Sequence, residues 1–256
     1  MSQAPRVLVT RPLADARRWV QQLHAHGLQA EALPLLAIRP LLDEPARQRC
    51  LAELPQYTAL MFVSGNAVTH LLGSQPGPWP ETVRALAPGP GTARVLREAG
   101  VPASLIDAPD AEAEQFDSES LWQAIAHRPW AHARVQVVRG QGEGESGSTG
   151  RDWLAQRLRE AGAQVEFVSV YERAAPAFTP EAQARLRQAR TDGSVWLFSS
   201  SEAIGHLPAG LDWTQARALA THPRIAEAAR RAGFGQVMQS RPQLADVVAS
   251  IKSLQP

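Results

Sequence analysis

The sequence predicts an α/β protein built from two related halves, each a parallel sheet covered by helices on both faces. Three observations lead there. First, the chain resembles itself: VLVTRP at residues 7–12 returns as VQVVRG at 135–140, FVSGNAV at 62–68 as FSSSEAI at 198–204, and LAPGPGTARVLREAG at 86–100 as LATHPRIAEAARRAG at 219–233, in the same order. A repeat this long marks duplicated domains rather than a solenoid. Second, short β-rich runs alternate with segments of helical spacing, the pattern of parallel sheets with crossover helices. Third, 44% apolar residues in a chain of 256 can furnish the core of one large domain or two small ones.

Residues 7–10 read as a strand and 13–26 as a helix carrying Trp19, Val20 and Leu23; Gly27 stops that helix before a strand at 28–33. The segment 34–40, with a proline at each end, suits a strand leaving one domain for another. Helix 46–54, strand 57–63, helix 65–72 and a proline-rich loop follow, then strand 83–87, helix 91–99, a short strand at 104–107 and helix 119–126. The second copy opens with strand 134–138, a stretch with five glycines at 140–150, helix 152–161 and strand 165–171. Helix 179–189, strand 194–198, helix 202–206, strand 217–220, helix 223–232 and strand 236–238 lead to a last helix, 242–254, with Leu244, Val247, Val248 and Ile251 on one face. Each β-α-β unit needs sheet partners, and two assemblies satisfy the repeat. The halves fold separately, divided near residue 130, or residues 7–33 cross over to join the C-terminal elements while the middle of the chain forms the other domain. The sequence leaves both open, with prolines around the first linker and the Glu172–Arg173 pair near the second leaning toward exchange.

A formal charge of +1 and a pI near 8.1 give no electrostatic footprint for nucleic acid or a membrane surface. Cys50 stands alone, so no internal disulfide is expected, and the seven histidines show no metal-ligand spacing. With neither a leader-like N-terminus nor an apolar run of membrane-spanning length, a soluble cytoplasmic protein is expected. Lys252 is the one lysine among 26 basic residues; arginine's fork of donors suits bidentate recognition of carboxylates. The glycine-rich stretch lacks the lysine of a phosphate loop and reads as a flexible insertion. Small polar turns stand where strands give way to helices: Ser64, Gly65 and Asn66; Gly89, Gly91 and Thr92; Ser199, Ser200 and Ser201. That edge is where ligands dock in parallel α/β sheets, so a two-sided cleft friendly to anions is expected. Tyr171, one of two tyrosines, ends an apolar strand beside Glu172 and Arg173.

With VLVTRP, PLLAIRP at 34–40, FVSGNAV, GPGTARVLREAG at 89–100, GRDWLAQRLREAGAQVEFVSVYERAAP at 150–176 and WLFSSSEAI at 196–204, the chain resembles the uroporphyrinogen-III synthases nearly end to end. The resemblance implies the crossover assembly: two flavodoxin-like parallel-sheet domains joined by a two-stranded linker. Residues 1–34 with 174–256 would form one domain and 41–168 the other, with linker strands at 35–40 and 169–173. It further implies a monomer without cofactor or metal that cyclises hydroxymethylbilane to uroporphyrinogen III, inverting ring D and losing water, with the upstream deaminase as a candidate transient partner. Tyr171 takes the position of the family's proposed acid. Arg11, Ser64, Thr92, Arg139, Ser199 and Thr221 take substrate-binding positions. Two departures stand out. Ile225 occupies the repeat position of Thr92, so that hydroxyl is absent or comes from Thr221, and the loop 141–149 exceeds the family's short glycine turn, which would displace Arg151. The rival reading from the residues alone is a non-enzymatic two-domain binder of a small anionic ligand.

Overall fold

A computed structural model describes residues 5–73, 77–109, 118–142 and 152–254. In chain order the elements are β1 (Val7–Val9), α1 (Leu13–Ala25), β2 (Ala30–Ala32), β3 (Ala37–Pro40), α2 (Glu44–Ala52), β4 (Ala59–Phe62), α3 (Gly65–Leu72), β5 (Arg84–Leu86), α4 (Pro90–Glu98), β6 (Ile106–Asp107) and α5 (Ser118–Ile125). They continue with β7 (Arg134–Gly142), α6 (Asp152–Glu160), β8 (Gln164–Ala174), α7 (Pro180–Gln188), β9 (Val195–Phe198), α8 (Ser201–Gly205), β10 (Arg217–Ala220), α9 (Pro223–Arg231), β11 (Gln236–Gln239) and α10 (Leu244–Lys252). The chain divides into two compact units. One runs up to Ile38 and resumes at Ala174; the other spans Arg39 to Arg173.

Strand β1 pairs in parallel with β9 as well as β2, so the first β-α-β unit joins the C-terminal elements. The first sheet has the order β11-β10-β9-β1-β2, and the second β3-β8-β7-β4-β5-β6. Leaving out the edge strand β3, the two sheets have one layout: β7 stands where β1 does, β8 where β2 does, and β4, β5 and β6 match β9, β10 and β11. Both follow the flavodoxin-like order 2-1-3-4-5. In the second unit that order is reached by a circularly permuted chain.

The first unit shows why the strands form. Val7, Val9, Val195, Leu197 and Leu219 point to one face and are covered by Ala16 and Leu23 of α1 and by Val247, Val248 and Ile251 of α10. Leu8, Trp196, Phe198, Ala218 and Ala220 point to the other, beneath Leu186 of α7, Ile204 of α8, and Ile225, Ala226 and Ala229 of α9. Period-2 alternation with apolar residues in both phases buries both faces. The second face also holds an aromatic knot: Trp196 meets Trp213 edge-on at 5.3 Å between ring centroids, and Phe234 meets Phe198 edge-on at 5.4 Å. In the second unit β4 is wholly buried between β7 and β5.

Most element ends fall within about two residues of the sequence pattern; the longest strands do not. β7 continues to Gly142 and β8 to Ala174, because the pair stays hydrogen-bonded as far as Gly142 opposite Arg173. The ladder satisfies backbone groups of glycines that would otherwise disfavour a strand, so residues 140–142 belong to the sheet and not to a flexible insertion. The rest of that loop and Arg151 lie outside the described residues.

Candidate active site

In sheets of this order, ligands dock beyond the carboxyl ends of the strands, where the strand order reverses. That point lies between β7 and β4 in the second unit and between β1 and β9 in the first. The sequence places Arg139 and Ser64 at one, Arg11 and Ser199 at the other.

In the second unit, Ser64 is the N-cap of α3: its extended backbone ends the strand segment, and its Oγ accepts a hydrogen bond from the Ala67 N–H at 3.2 Å. The same Oγ lies 3.0 Å from the phenolic oxygen of Tyr171. Tyr171 is only 3% exposed. Two features aim it. Strand β8 carries a register shift, with Arg139 opposite Ser169 but Gly140 opposite Tyr171, so Val170 is an extra residue; such a bulge re-aims the side chain that follows. The tyrosine ring then lies against the bare Cα of Gly140, where a Cβ would overlap Cε2 and Cζ of the ring. His70 of α3 flanks the ring at 5.5 Å between centroids, and burial holds its imidazole below the ordinary histidine pKa.

Arg139, one residue before Gly140, lays its guanidinium 4.5 Å from the ring centroid of Phe167, and its Nε is buried without a hydrogen-bond partner. Thr92, in the first turn of α4, is 8% exposed. In the first unit Arg11 repeats the arginine arrangement on another aromatic, 4.5 Å from the Trp19 ring centroid, again with a buried, unpartnered Nε. Burial lowers its pKa, against the opposing pull of Asp15. Thr10 secures this corner by donating from Oγ1 to the Leu197 carbonyl at 2.7 Å. Ser199 is half-buried directly after β9; Thr221, after β10, is buried and donates its N–H to the Phe198 carbonyl at 3.1 Å. Each unit thus groups its own donors at the expected sheet edge: Ser64, Thr92, Arg139 and Tyr171 in one, Arg11, Ser199 and Thr221 in the other.

The second tyrosine is differently employed. Tyr57 precedes β4, at the opposite edge of the sheet; its hydroxyl donates to Glu166 at 3.0 Å and accepts from Gln136 at 3.0 Å. Burial first, then Glu166, pushes its pKa up to about 12. Sequence reasoning missed Gly140, read as the start of an insertion, and found in His70 no more than a histidine without metal-ligand spacing. The repeat could have singled out the glycine, since VQVVRG departs from VLVTRP there. His222 caps α9, its Nδ1 accepting from the Arg224 N–H at 3.1 Å. Among the described residues no group of His, Cys, Asp or Glu is arranged to hold a metal, and no helix is long and apolar enough to cross a membrane.

Known proteins match over nearly the whole chain. Residues 17–249 match the family model for uroporphyrinogen-III synthase HemD. The chain is 29% identical over 219 residues to the uroporphyrinogen-III synthase of Synechococcus elongatus, covering 81% of this chain and 77% of that protein. It is 27% identical over 241 residues to the Escherichia coli enzyme, covering 90% and 93%. Among solved structures, uroporphyrinogen-III synthetase from Helicobacter pylori superposes with a TM-score of 0.59 at 17% identity, covering 98% of this chain and 100% of that one. A mutant of the Thermus thermophilus enzyme gives 0.55 at 20% identity, covering 98% of each. At these identities the structures speak for the fold, and the family model, matched across most of the chain, carries the assignment: this chain belongs to the uroporphyrinogen-III synthase family.

Proposed function

We propose that the chain closes linear hydroxymethylbilane to uroporphyrinogen III, inverting ring D and losing water, with Tyr171 as the proton donor. The observation that carries this reading is the Tyr171 hydroxyl, held at the sheet edge where ligands dock and bonded to a neutral partner, Ser64. A phenol carries a proton that it can give to a leaving hydroxyl. Departure of water leaves an azafulvene whose charge the pyrrole nitrogen already stabilises, so protonation is the main chemical demand. The pyrrole carbon that forms the final ring bond gives up one proton, which restores the phenol and leaves water as the other product.

The larger task is conformational, because free hydroxymethylbilane closes to the symmetric type I isomer. The enzyme must hold a conformer that brings the substituted carbon of ring D within reach; as the new bond forms there, the bond from that carbon to its original bridging methylene breaks, and that methylene re-bonds to the unsubstituted carbon of ring D, whose proton is the one released. Eight substrate carboxylates offer the handles. Arg139 and Thr92 in one unit, and Arg11, Ser199 and Thr221 in the other, are the donors for them, with Ser64 beside the phenol. The stacked arginines suit the task because each guanidinium plane is fixed by its aromatic ring. The test is incubation with freshly generated hydroxymethylbilane, followed by oxidation and chromatography of the isomers. Type III should dominate; an isomer ratio equal to that without protein overturns the proposal.

A further inference from the structure

We infer that Ser64 serves the phenol of Tyr171, not a substrate carboxylate, and that Gly140 is the steric seat of that phenol, so both are positioning residues for the proton donor. The inference rests on the reading of Tyr171 as the acid.

It follows from counting hydrogens at one oxygen. The Ser64 hydroxyl has one hydrogen and two lone pairs. One lone pair is engaged by the Ala67 N–H at 3.2 Å, and Tyr171 lies at 3.0 Å. In the resting site either hydroxyl can donate across that contact. For Tyr171 to give its proton to a leaving hydroxyl, its O–H must turn away from Ser64, and the Ser64 hydrogen then becomes the one that bridges them. After transfer, that hydrogen is donated to the phenolate, and a hydrogen bond to a charged oxygen is about twice as strong as one to a neutral oxygen. The start of α3, with its partial positive charge, favours the same anion. A substrate carboxylate bound at Ser64 would compete for this single hydrogen and weaken the acid.

Gly140 enters by its missing side chain. Even one methyl there would occupy the space of Cε2 and Cζ, the atoms next to the phenolic oxygen. The ring would have to swing away, and the contact with Ser64 would open. The demand is steric, because the Gly140 backbone is not among the glycines with positive φ.

A double-mutant cycle on the full-length protein tests both residues, with kcat and KM measured for type III formation from hydroxymethylbilane. Ser64→Ala should lower kcat by roughly 10- to 100-fold, as expected for one hydrogen bond to a charged group, with KM little changed. Ser64→Thr, which keeps the hydroxyl and the cap, should recover most of the loss. Gly140→Ala should lower kcat comparably. In a Tyr171→Phe background neither Ser64→Ala nor Gly140→Ala should cause a further loss, because the group they position is gone. A Ser64→Ala effect that appears in KM and persists beside Tyr171→Phe would make Ser64 a carboxylate ligand and overturn its part. A further loss from Gly140→Ala beside Tyr171→Phe would make that glycine structural and overturn its part. Should Tyr171→Phe alone turn over like the parent, the acid assignment falls and this inference with it. The Ser64 arm remains decisive if Gly140→Ala does not fold.

Discussion

Replacing Tyr171 by phenylalanine removes one oxygen and leaves the rest of the site in place. The ring keeps its seat on Gly140 and its neighbour His70, and Ser64 keeps its bond from the Ala67 N–H. Loss of the contact to Ser64 should therefore cost only about 0.5–1.5 kcal/mol of stability. The catalytic cost should be larger. General-acid groups contribute about 10²- to 10⁴-fold, which corresponds to about 2.7–5.4 kcal/mol of barrier. No second phenol can substitute, because Tyr57 sits at the other edge of the sheet, donates to Glu166, and has its pKa pushed up to about 12. Initial rates with freshly generated hydroxymethylbilane, corrected for spontaneous type I closure, should show kcat reduced by that factor and KM within about threefold of the parent, because the arginines and hydroxyls proposed to hold the carboxylates are untouched. The enzyme-dependent product should still be type III, since the folded conformer is set by other groups. Tyr57→Phe should hold its kcat. A Tyr171→Phe enzyme with the parent's kcat, or an equal loss in Tyr57→Phe, would refute the assignment.

Three further outcomes are expected. Arg139→Met and Arg11→Met each remove a buried, unpartnered Nε while keeping an apolar stem against Phe167 or Trp19; thermal melting should be unchanged or higher, while KM for hydroxymethylbilane rises roughly 10-fold or more, and a lower melting temperature with unchanged KM would make these arginines structural. The folded-state pKa of Tyr57 is raised, so its contribution to stability is complete below pH 10 and is lost as pH climbs toward about 12; denaturant titrations should show the parent losing stability relative to Tyr57→Phe across that window, at up to about 1.4 kcal/mol per pH unit, and parallel curves would contradict it. Asp107, with its side chain 12% exposed, accepts hydrogen bonds from Arg84 at 2.8 Å and Arg128 at 2.6 Å; Asp107→Ala leaves both guanidinium groups without it and should cost about 1–3 kcal/mol in chemical denaturation, a smaller change placing the cluster among solvent-screened pairs.

The alternation of strands and helices was legible because apolar residues in both phases of β1 and β9 admit no other burial. The choice between sequential halves and crossover was not legible from the repeat. Either arrangement offers each β-α-β unit an equivalent neighbour, and the repeated motifs are the same in both. The decision lies in β1 pairing with β9, a contact between segments far apart in the chain that local periodicity cannot encode. Tyr171 could be found as a scarce residue at a strand end, yet its orientation could not, because it depends on one extra residue in β8. A period-2 count through residues 165–171 runs past that bulge unseen. Gly140 was hidden for the same reason: its meaning is set by a ring on the neighbouring strand.

The two arginines carry the comparison further than the repeat does. Duplication accounts for arginine at 11 and 139, since VLVTRP and VQVVRG align there. It does not account for their surroundings. Arg11 stacks on Trp19, which comes from the helix after its own strand, whereas Arg139 stacks on Phe167 from the neighbouring strand β8, a ring that Arg159 approaches as well at 5.4 Å. Different elements supply an aromatic at the same 4.5 Å, and in both places an Nε stays buried and unpartnered. Folding stability alone would favour removing that orphaned donor, so the shared arrangement is better explained by a need to fix each guanidinium plane. If so, Trp19→Leu and Phe167→Leu should raise KM with little change in kcat, because they loosen a binding group without touching the acid. Loss of kcat at constant KM in either variant would show that the stacked ring serves the chemistry by another route.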